Sequence, residues 1–213
     1  MNKDLVQVHF DKTAKEFDSI YTGEKSKFGR FLDRKLRWDM EKRFERTIQE
    51  CGDIKGKSII DIGCGSGRFM EILQTGYPDL ILGVDFAPNM LLIAQNILHA
   101  KMTDSPSKFV VGDFNKMAFK SGFDITLAIG LFDYIEDPLD MLNKMRTVTK
   151  EKLIATFPRS GTLRSVIRKV RLGVRGCPVY YFSEDQVKKL LLDSGFTIMK
   201  FEVFGQLIFI TAK

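Results

Sequence analysis

Residues that bind metals or carry redox chemistry are scarce in this sequence. Only two histidines, His9 and His99, and three cysteines, Cys51, Cys64 and Cys177, occur among its 213 residues. None of them forms a C-x-x-C or H-x-x-x-H spacing, so no metal site is expected. The odd cysteine count, with no apolar segment after the opening Met1-Asn2-Lys3-Asp4, fits a reducing cytoplasm rather than secretion. Long apolar runs are missing too. The longest uncharged stretch, Phe86 to Ala100, contains a Pro, two Asn and a Gln, and is too short and too polar to span a bilayer. Repeats and low-complexity tracts are absent, and 17 Gly with 6 Pro is ordinary usage, which excludes collagen-like and disordered classes. What remains is a chain long enough for one domain with a sizeable core. Its 18 Phe and 9 Met are more than usual and suit a deformable apolar core or pocket.

Acidic residues are also unevenly missing. The chain carries 33 Lys+Arg against 27 Asp+Glu, a net charge of +6. The stretch from Arg159 to Phe182 has no acid at all, yet it holds Arg159, Arg164, Arg168, Lys169, Arg171 and Arg175. The excess therefore belongs to one segment, and a nucleic-acid partner does not follow from it. Val166, Ile167, Val170, Leu172 and Val174 alternate with the basic residues, a pattern that suits a solvated face, an anion-binding cap or an anionic membrane surface.

Strand-like and helix-like segments alternate along the chain, the pattern of a βαβ fold with a parallel sheet. Phe10 to Cys51 reads as helical, with Phe28, Phe31, Leu32, Leu36, Met40 and Phe44 at three- and four-residue spacing. Strands are expected at 57–62, 80–84, 108–111, 123–129 and 152–157, with helices at 68–75, 88–100 and 138–149 between them. Ser183 with Gln186 forms a capping box for a helix ending at Gly195, and 196–204 with 207–211 pair as a hairpin around Gly205.

The stretch with the most chemical content is Ile59-Ile60-Asp61-Ile62-Gly63-Cys64-Gly65-Ser66-Gly67-Arg68-Phe69, an apolar strand entering an acid-led glycine loop and then a helix. Three glycines let backbone approach a ligand closely. A dinucleotide fingerprint wants its third Gly where Arg68 stands, which weakens a nicotinamide or flavin reading. Asp85 closes the second strand, about where a ribose-binding acid belongs, and its carboxylate can accept from vicinal hydroxyls. Asp113 closes the third, placed to accept from an adenine amine while Phe114 lines the ring. Three acids at successive strand ends describe a nucleoside pocket without a phosphate clamp.

This arrangement resembles the class I S-adenosylmethionine-dependent methyltransferases, whose first motif is an acid followed by G-x-G-x-G, as in Asp61, Gly63, Gly65 and Gly67. The stretch from Ala128 to Pro138 resembles the loop beside the sulfonium, and Phe10-Asp11-x-x-Ala14-x-x-Phe17-Asp18-x-x-Tyr21 resembles the helix that closes over the cofactor. The local likeness is to enzymes that methylate quinone precursors and magnesium-protoporphyrin. It covers most of the chain. The resemblance implies an α/β, Rossmann-like fold: a seven-stranded, mostly parallel sheet with helices on both faces and an antiparallel C-terminal hairpin. It implies a helical lid at 1–52 and a cofactor-binding domain at 53–213, with a basic insertion at 158–182.

By the same resemblance, S-adenosylmethionine is expected to contact Asp61, Gly63, Cys64, Gly65, Gly67, Asp85, Phe86, Met90, Asp113, Phe114, Gly130, Leu131 and Tyr21. The expected activity is methyl transfer to a small acceptor at oxygen, the acceptor being anionic or lipid-like. His9, Tyr21, Asp133 and Tyr134 can each act as a base on an acceptor hydroxyl, although in-line displacement depends more on positioning. Two alternatives stand beside this reading. One is methylation of nucleic acid or protein, although amino-methylating nucleic-acid enzymes usually carry an Asn/Asp-Pro-Pro-aromatic tetrad where this chain has Gly130-Leu131-Phe132-Asp133. A non-catalytic scaffold of the same fold is the other.

Overall fold

The computed structural model describes residues 3–22, 30–100, 105–161 and 177–213. Two helices come first, α1 (Lys3–Thr22) and α2 (Arg30–Cys51), followed by β1 (Ser58–Ile62), α3 (Arg68–Leu73), β2 (Leu80–Asp85), α4 (Pro88–His99), β3 (Ser107–Val111) and β4 (Phe123–Ala128). Then come α5 (Leu139–Val148), β5 (Thr149–Pro158), α6 (Glu184–Asp193), β6 (Ile198–Phe204) and β7 (Leu207–Ala212). The strands form one sheet in the order β3-β2-β1-β4-β5-β7-β6. β3 through β5 pair in parallel, while β7 runs antiparallel to both β5 and β6. This is the expected Rossmann-like, seven-stranded arrangement.

Strand β1 shows why the sheet is a middle layer. Ile60 and Ile62 point into a core built with Met141, Leu142 and Met145 of α5 and Val187 and Leu191 of α6. Ile59, of opposite parity, joins Cys51, Phe69, Met70, Leu73, Leu91 and Leu98 on the other face. Both faces are covered, so the parallel strands read as almost continuous apolar runs. The phenylalanines turn out largely structural: Phe132, Phe157, Phe196 and Phe209 are fully buried, and Phe132 lies stacked on Phe157 with ring centroids 4.2 Å apart.

Several boundaries differ from the expected ones. The helical start is two helices, the first beginning at Lys3 rather than Phe10 because Val6 is buried along with Ala14. The α-helix after the glycine loop stops at Leu73 and tightens into a 3-10 turn, Gln74–Gly76. β5 runs from Thr149 to Pro158 instead of 152–157, since Thr149 pairs with Phe123 across an irregularity and Pro158 pairs with Leu207. The capping box is present: Gln186 N–H donates to Ser183 Oγ at 3.2 Å, and Ser183 N–H donates to Gln186 Oε1 at 2.8 Å. Gly205 turns the β6–β7 hairpin at φ 56°, packed against the Asp39 carboxylate of α2.

Helix α2 is a packing layer. Phe44 stacks on Phe69 at 4.9 Å, Cys51 is in the core, Lys152 donates to the Glu50 carbonyl at 3.0 Å, and Lys200 and Thr211 both donate to the Glu50 carboxylate. Helix α1 is attached differently, through α4 and the glycine loop. No helix among the described residues is long and apolar enough to cross a membrane. Of the basic stretch, Arg164, Arg168, Lys169, Arg171 and Arg175 lie outside the described residues, as does the side chain of Tyr21.

Candidate active site at the carboxyl ends of the strands

The strand order reverses between β1 and β4, the point at which a sheet of this kind forms its binding crevice, at the carboxyl ends of the strands. Into it run the glycine loop after β1, the turn after β2, the 3-10 turn after β3 and the loop after β4. Asp61 pairs laterally with Gly83 and Leu127, which fixes its position at the centre of the sheet. It is 2% exposed, and its Oδ2 has no hydrogen-bond partner within the protein. Burial, with the Asp85 charge adding to it, pushes its carboxyl up to about 7. A buried carboxylate oxygen without a partner is costly, and burial answers that cost by favouring the protonated carboxyl.

The loop beyond it is held by β2. Gly63 and Cys64 N–H both donate to the Val84 carbonyl, at 2.8 and 3.2 Å, and Gly65 N–H donates to Asp85 Oδ2 at 2.9 Å. Gly65, at φ 53°, has nothing within 4 Å of where a Cβ would stand, whereas Gly67 at φ 72° would clash with Ala94 at 2.9 Å. One glycine leaves room for a ligand and the other for α4. Cys64 is buried beside both acids; burial first, then those charges, raise its thiol well above the usual range, so it is no nucleophile.

Asp85 has a double role. Besides holding Gly65, its Oδ1 accepts from Ala87 N–H at 2.9 Å and turns the chain into α4, whose N-cap is Ala87 itself. Burial raises its carboxyl despite these N–H donors. Each oxygen keeps a second lone pair, so hydroxyl donors can still be accepted. Asp113 caps the 3-10 turn Phe114–Lys116 by accepting from Asn115 N–H at 3.1 Å, and the Phe114 ring sits in the core, 5.6 Å from Phe119. Met90 is buried under α1 with Ala14 and Ala87, and Phe10, Phe86 and Ile93 flank them.

On the β4 side, Gly130 at φ 75° donates to Thr156 Oγ1 at 2.9 Å. Leu131 packs on the glycine loop, its Cδ1 3.0 Å from a Cβ position at Gly63. Asp133 is buried, and its carbonyl accepts from Tyr180 N–H at 2.9 Å. Tyr134 meets Phe10 of α1 edge to face at 4.9 Å, and the His9 ring lies 5.6 Å beyond Phe10. Phe10 thus links the His9 ring of α1 to Tyr134 of the loop after β4, while the contact given for Asp133 is that of its carbonyl with Tyr180. Arg159 pairs with Glu184 at 3.0 Å.

Three features escaped the sequence reading. Arg68 makes a bidentate pair with Asp18 of α1, 2.9 and 2.8 Å, and also donates to Glu71 at 3.2 Å. Asn89 at the start of α4 donates twice to Asp11, at 3.2 Å each. Asp11, Ala14 and Asp18 recur at i, i+3 and i+7, one face of a helix, and this spacing was the available signal. Arg43 of α2, reaching Gly130, had none. Among the described residues there is no cluster of His, Cys, Asp or Glu able to hold a metal.

Comparison with known proteins bears on this geometry. Solved structures include the magnesium protoporphyrin IX methyltransferase of Synechocystis with bound S-adenosylhomocysteine, which is 19% identical with a TM-score of 0.82 over 99% of both chains. At that identity the likeness is one of fold. Curated relatives include the malonyl-[acyl-carrier protein] O-methyltransferase of Acetivibrio thermocellus, 24% identical over 76% of this chain and 51% of that one. The tRNA U34 carboxymethyltransferase of Colwellia psychrerythraea is 26% identical over 51% of this chain and 34% of that protein. The chain thus spans about half the length, or less, of these curated relatives. The family described as a methyltransferase domain matches residues 53–192, from the turn before β1 to the end of α6. With that match over the strands that build the crevice, the chain belongs to the methyltransferase domain family, in its class I, S-adenosylmethionine-dependent fold.

Proposed function

We propose that this chain transfers the methyl group of S-adenosylmethionine to the oxygen of a small, anionic or lipid-like acceptor. The observation that carries the cofactor reading is the partnerless, buried Oδ2 of Asp61 beneath a glycine loop whose Gly65 leaves space for a ligand. A cationic amino-acid tail fits there. In this reading Asp61, Gly63, Cys64, Gly65 and Gly67 surround the methionine end, while Asp85 and Phe86 take the ribose. Asp113 and Phe114 take the adenine, and Gly130 and Leu131 border the sulfur. When bound, S-adenosylmethionine supplies a methyl carbon on a cationic sulfur for in-line displacement by an acceptor lone pair. The chain's own part is mostly positional. Helix α1, tied down by Asp11 and Asp18, covers the crevice and excludes water, and Phe10 against Tyr134 closes its acceptor end. The lid is therefore α1, since α2 is a fixed layer of the core. His9, Asp133 and Tyr134 are the groups placed to receive an acceptor proton.

Support for an oxygen acceptor comes from the malonyl-[acyl-carrier protein] O-methyltransferase among the relatives. The basic stretch from Arg159 to Arg175 supports an anionic acceptor. The tRNA carboxymethyltransferase relatives favour a second reading, an RNA acceptor. One experiment separates them: S-adenosylmethionine with a labelled methyl group is incubated with the chain and, in parallel, short-chain and porphyrin carboxylates, quinols and tRNA. Label recovered as a small-molecule ester or ether supports the proposal, and label confined to tRNA replaces it with the second reading. If calorimetry showed no heat with S-adenosylmethionine or S-adenosylhomocysteine, the cofactor reading itself would fall.

A further inference from the structure

Helix α1 touches the segments that follow three neighbouring strands, β2, β1 and β4. Phe10 meets Tyr134 in the 3-10 turn after β4, Asp11 meets Asn89 at the start of α4 after β2, and Asp18 meets Arg68 directly after the glycine loop of β1. Its apolar anchorage is small. Among its described side chains only Val6 and Ala14 are buried, while Leu5 and Val8 are exposed. Ala14 packs with Ala87 and Met90 in a cluster separate from the two cores on the faces of the sheet. A helix with so little buried apolar surface can leave while the sheet stays folded, so its polar ties decide how long it stays.

Those ties differ in strength. Asp11 Oδ1 accepts from Asn89 N–H at 3.2 Å in the first turn of α4, whose own N-cap, Ala87, has no side-chain acceptor, so α1 supplies a cap from outside. This contact is exposed. The Asp18–Arg68 tie is bidentate, at 2.9 and 2.8 Å, with side chains only 17% and 20% exposed. Fork geometry and partial burial make it stronger than an ordinary surface ion pair. Glu71, one turn along α3, accepts from the same guanidinium at 3.2 Å and holds it near α1. All these ties run between protein groups, so they hold α1 in place whether or not a ligand lies beneath it.

We infer that Arg68 is a positioning residue that latches α1 through Asp18 and thereby sets the rate at which the S-adenosyl ligand enters and leaves. This rests on the cofactor reading above and adds to it a control of ligand exchange by an ion pair within the protein. A latch made with and without ligand slows entry and exit alike and leaves affinity nearly unchanged. Being ionic, it also yields to salt.

The test is surface plasmon resonance on the full chain with S-adenosylhomocysteine, which reads association and dissociation rates separately. Asp18→Asn breaks the latch from the α1 side, away from the glycine loop, and is expected to raise both rates at least about fivefold with affinity within about threefold of wild type. Arg68→Met should do the same, and the double variant should be no faster than either single one. Raising salt from about 0.05 M to about 0.5 M should speed both rates severalfold in the wild type and less than about twofold in Asp18→Asn. Unchanged rates in Asp18→Asn would overturn the inference and leave the cofactor reading intact. Faster dissociation with unchanged association, the mark of a lost ligand contact, would overturn it too, as would equal salt dependence in wild type and variant. If Arg68→Met does not fold, Asp18→Asn carries the comparison. A wild-type chain that bound no S-adenosylhomocysteine would overturn the cofactor reading and this inference with it.

Discussion

Asp61 makes a quantitative statement about proton linkage. Its carboxyl in the ligand-free chain is pushed up to about 7, chiefly by burial and then by Asp85. To face a ligand ammonium it must be ionised, so at pH 6 binding must first remove its proton. With a value near 7, about nine-tenths of Asp61 is protonated at pH 6 and about a quarter at pH 7.5. S-adenosylhomocysteine should then bind about eightfold more tightly at pH 7.5 than at pH 6, with release of about 0.9 proton per ligand at the lower pH. Isothermal titration in two buffers of different ionisation enthalpy measures both quantities. Asp61→Asn should bind weakly at both pH values and lose the dependence. The stability of the ligand-free fold follows with a definite sign. The folded value lies above the ordinary 3.8, so the stability tied to protonated Asp61 is full at low pH and lost as pH rises through about 7, by at most about 4 kcal/mol. No proton release at pH 6, or an unchanged pH slope in Asp61→Asn, would refute the reasoning.

Arg68→Ala removes the bidentate tie to Asp18, whose side chains are 20% and 17% exposed, and should loosen α1 by about 1–2 kcal/mol. Amide exchange across residues 3–22 would speed roughly tenfold, and unaltered exchange would mean that α4 alone holds the helix. Gly205→Ala meets a left-handed φ and the Asp39 carboxylate together and should cost about 2–4 kcal/mol in denaturant unfolding. A loss below about 1 kcal/mol would show that the hairpin turn yields easily. Ser183→Ala opens the capping box of α6 and should cost about 1 kcal/mol, with Gln186→Ala adding little on top, because the two bonds act as one cap. Fully additive losses would deny that coupling.

The sheet was legible because buried parallel strands are written as apolar runs, and Ile59-Ile60-Asp61-Ile62 breaks its run only at Asp61. The capping box at Ser183 and the hairpin at Gly205 were legible because turn and cap chemistry is local. β5 was read short since Lys150 and Glu151 look like a loop; they are strand because neighbouring Thr149 and Lys152 pair with β4. The acids of the crevice were found by position alone, but that Asp85 holds Gly65 in place while Asp61 is left without a partner depends on burial. Arg43 was invisible for another reason: nothing near it in sequence announces Gly130, and only the packing of α2 across the sheet brings them together.

The strand order has a consequence for how the molecule is made. β6 precedes β7 in the chain, yet it reaches the sheet only through β7, which lies between it and β5. A ribosome therefore delivers β6 before the strand it must lean on, and β5, whose Pro158 and Leu153 both pair with β7, waits with one edge open. The nascent chain carries an uncovered strand edge and apolar side chains such as Phe201 until residues 207–212 arrive. Closing that gap is a non-local event that joins β7 to a strand about fifty residues earlier, and until it happens the edge of β5 is open to pairing with another chain.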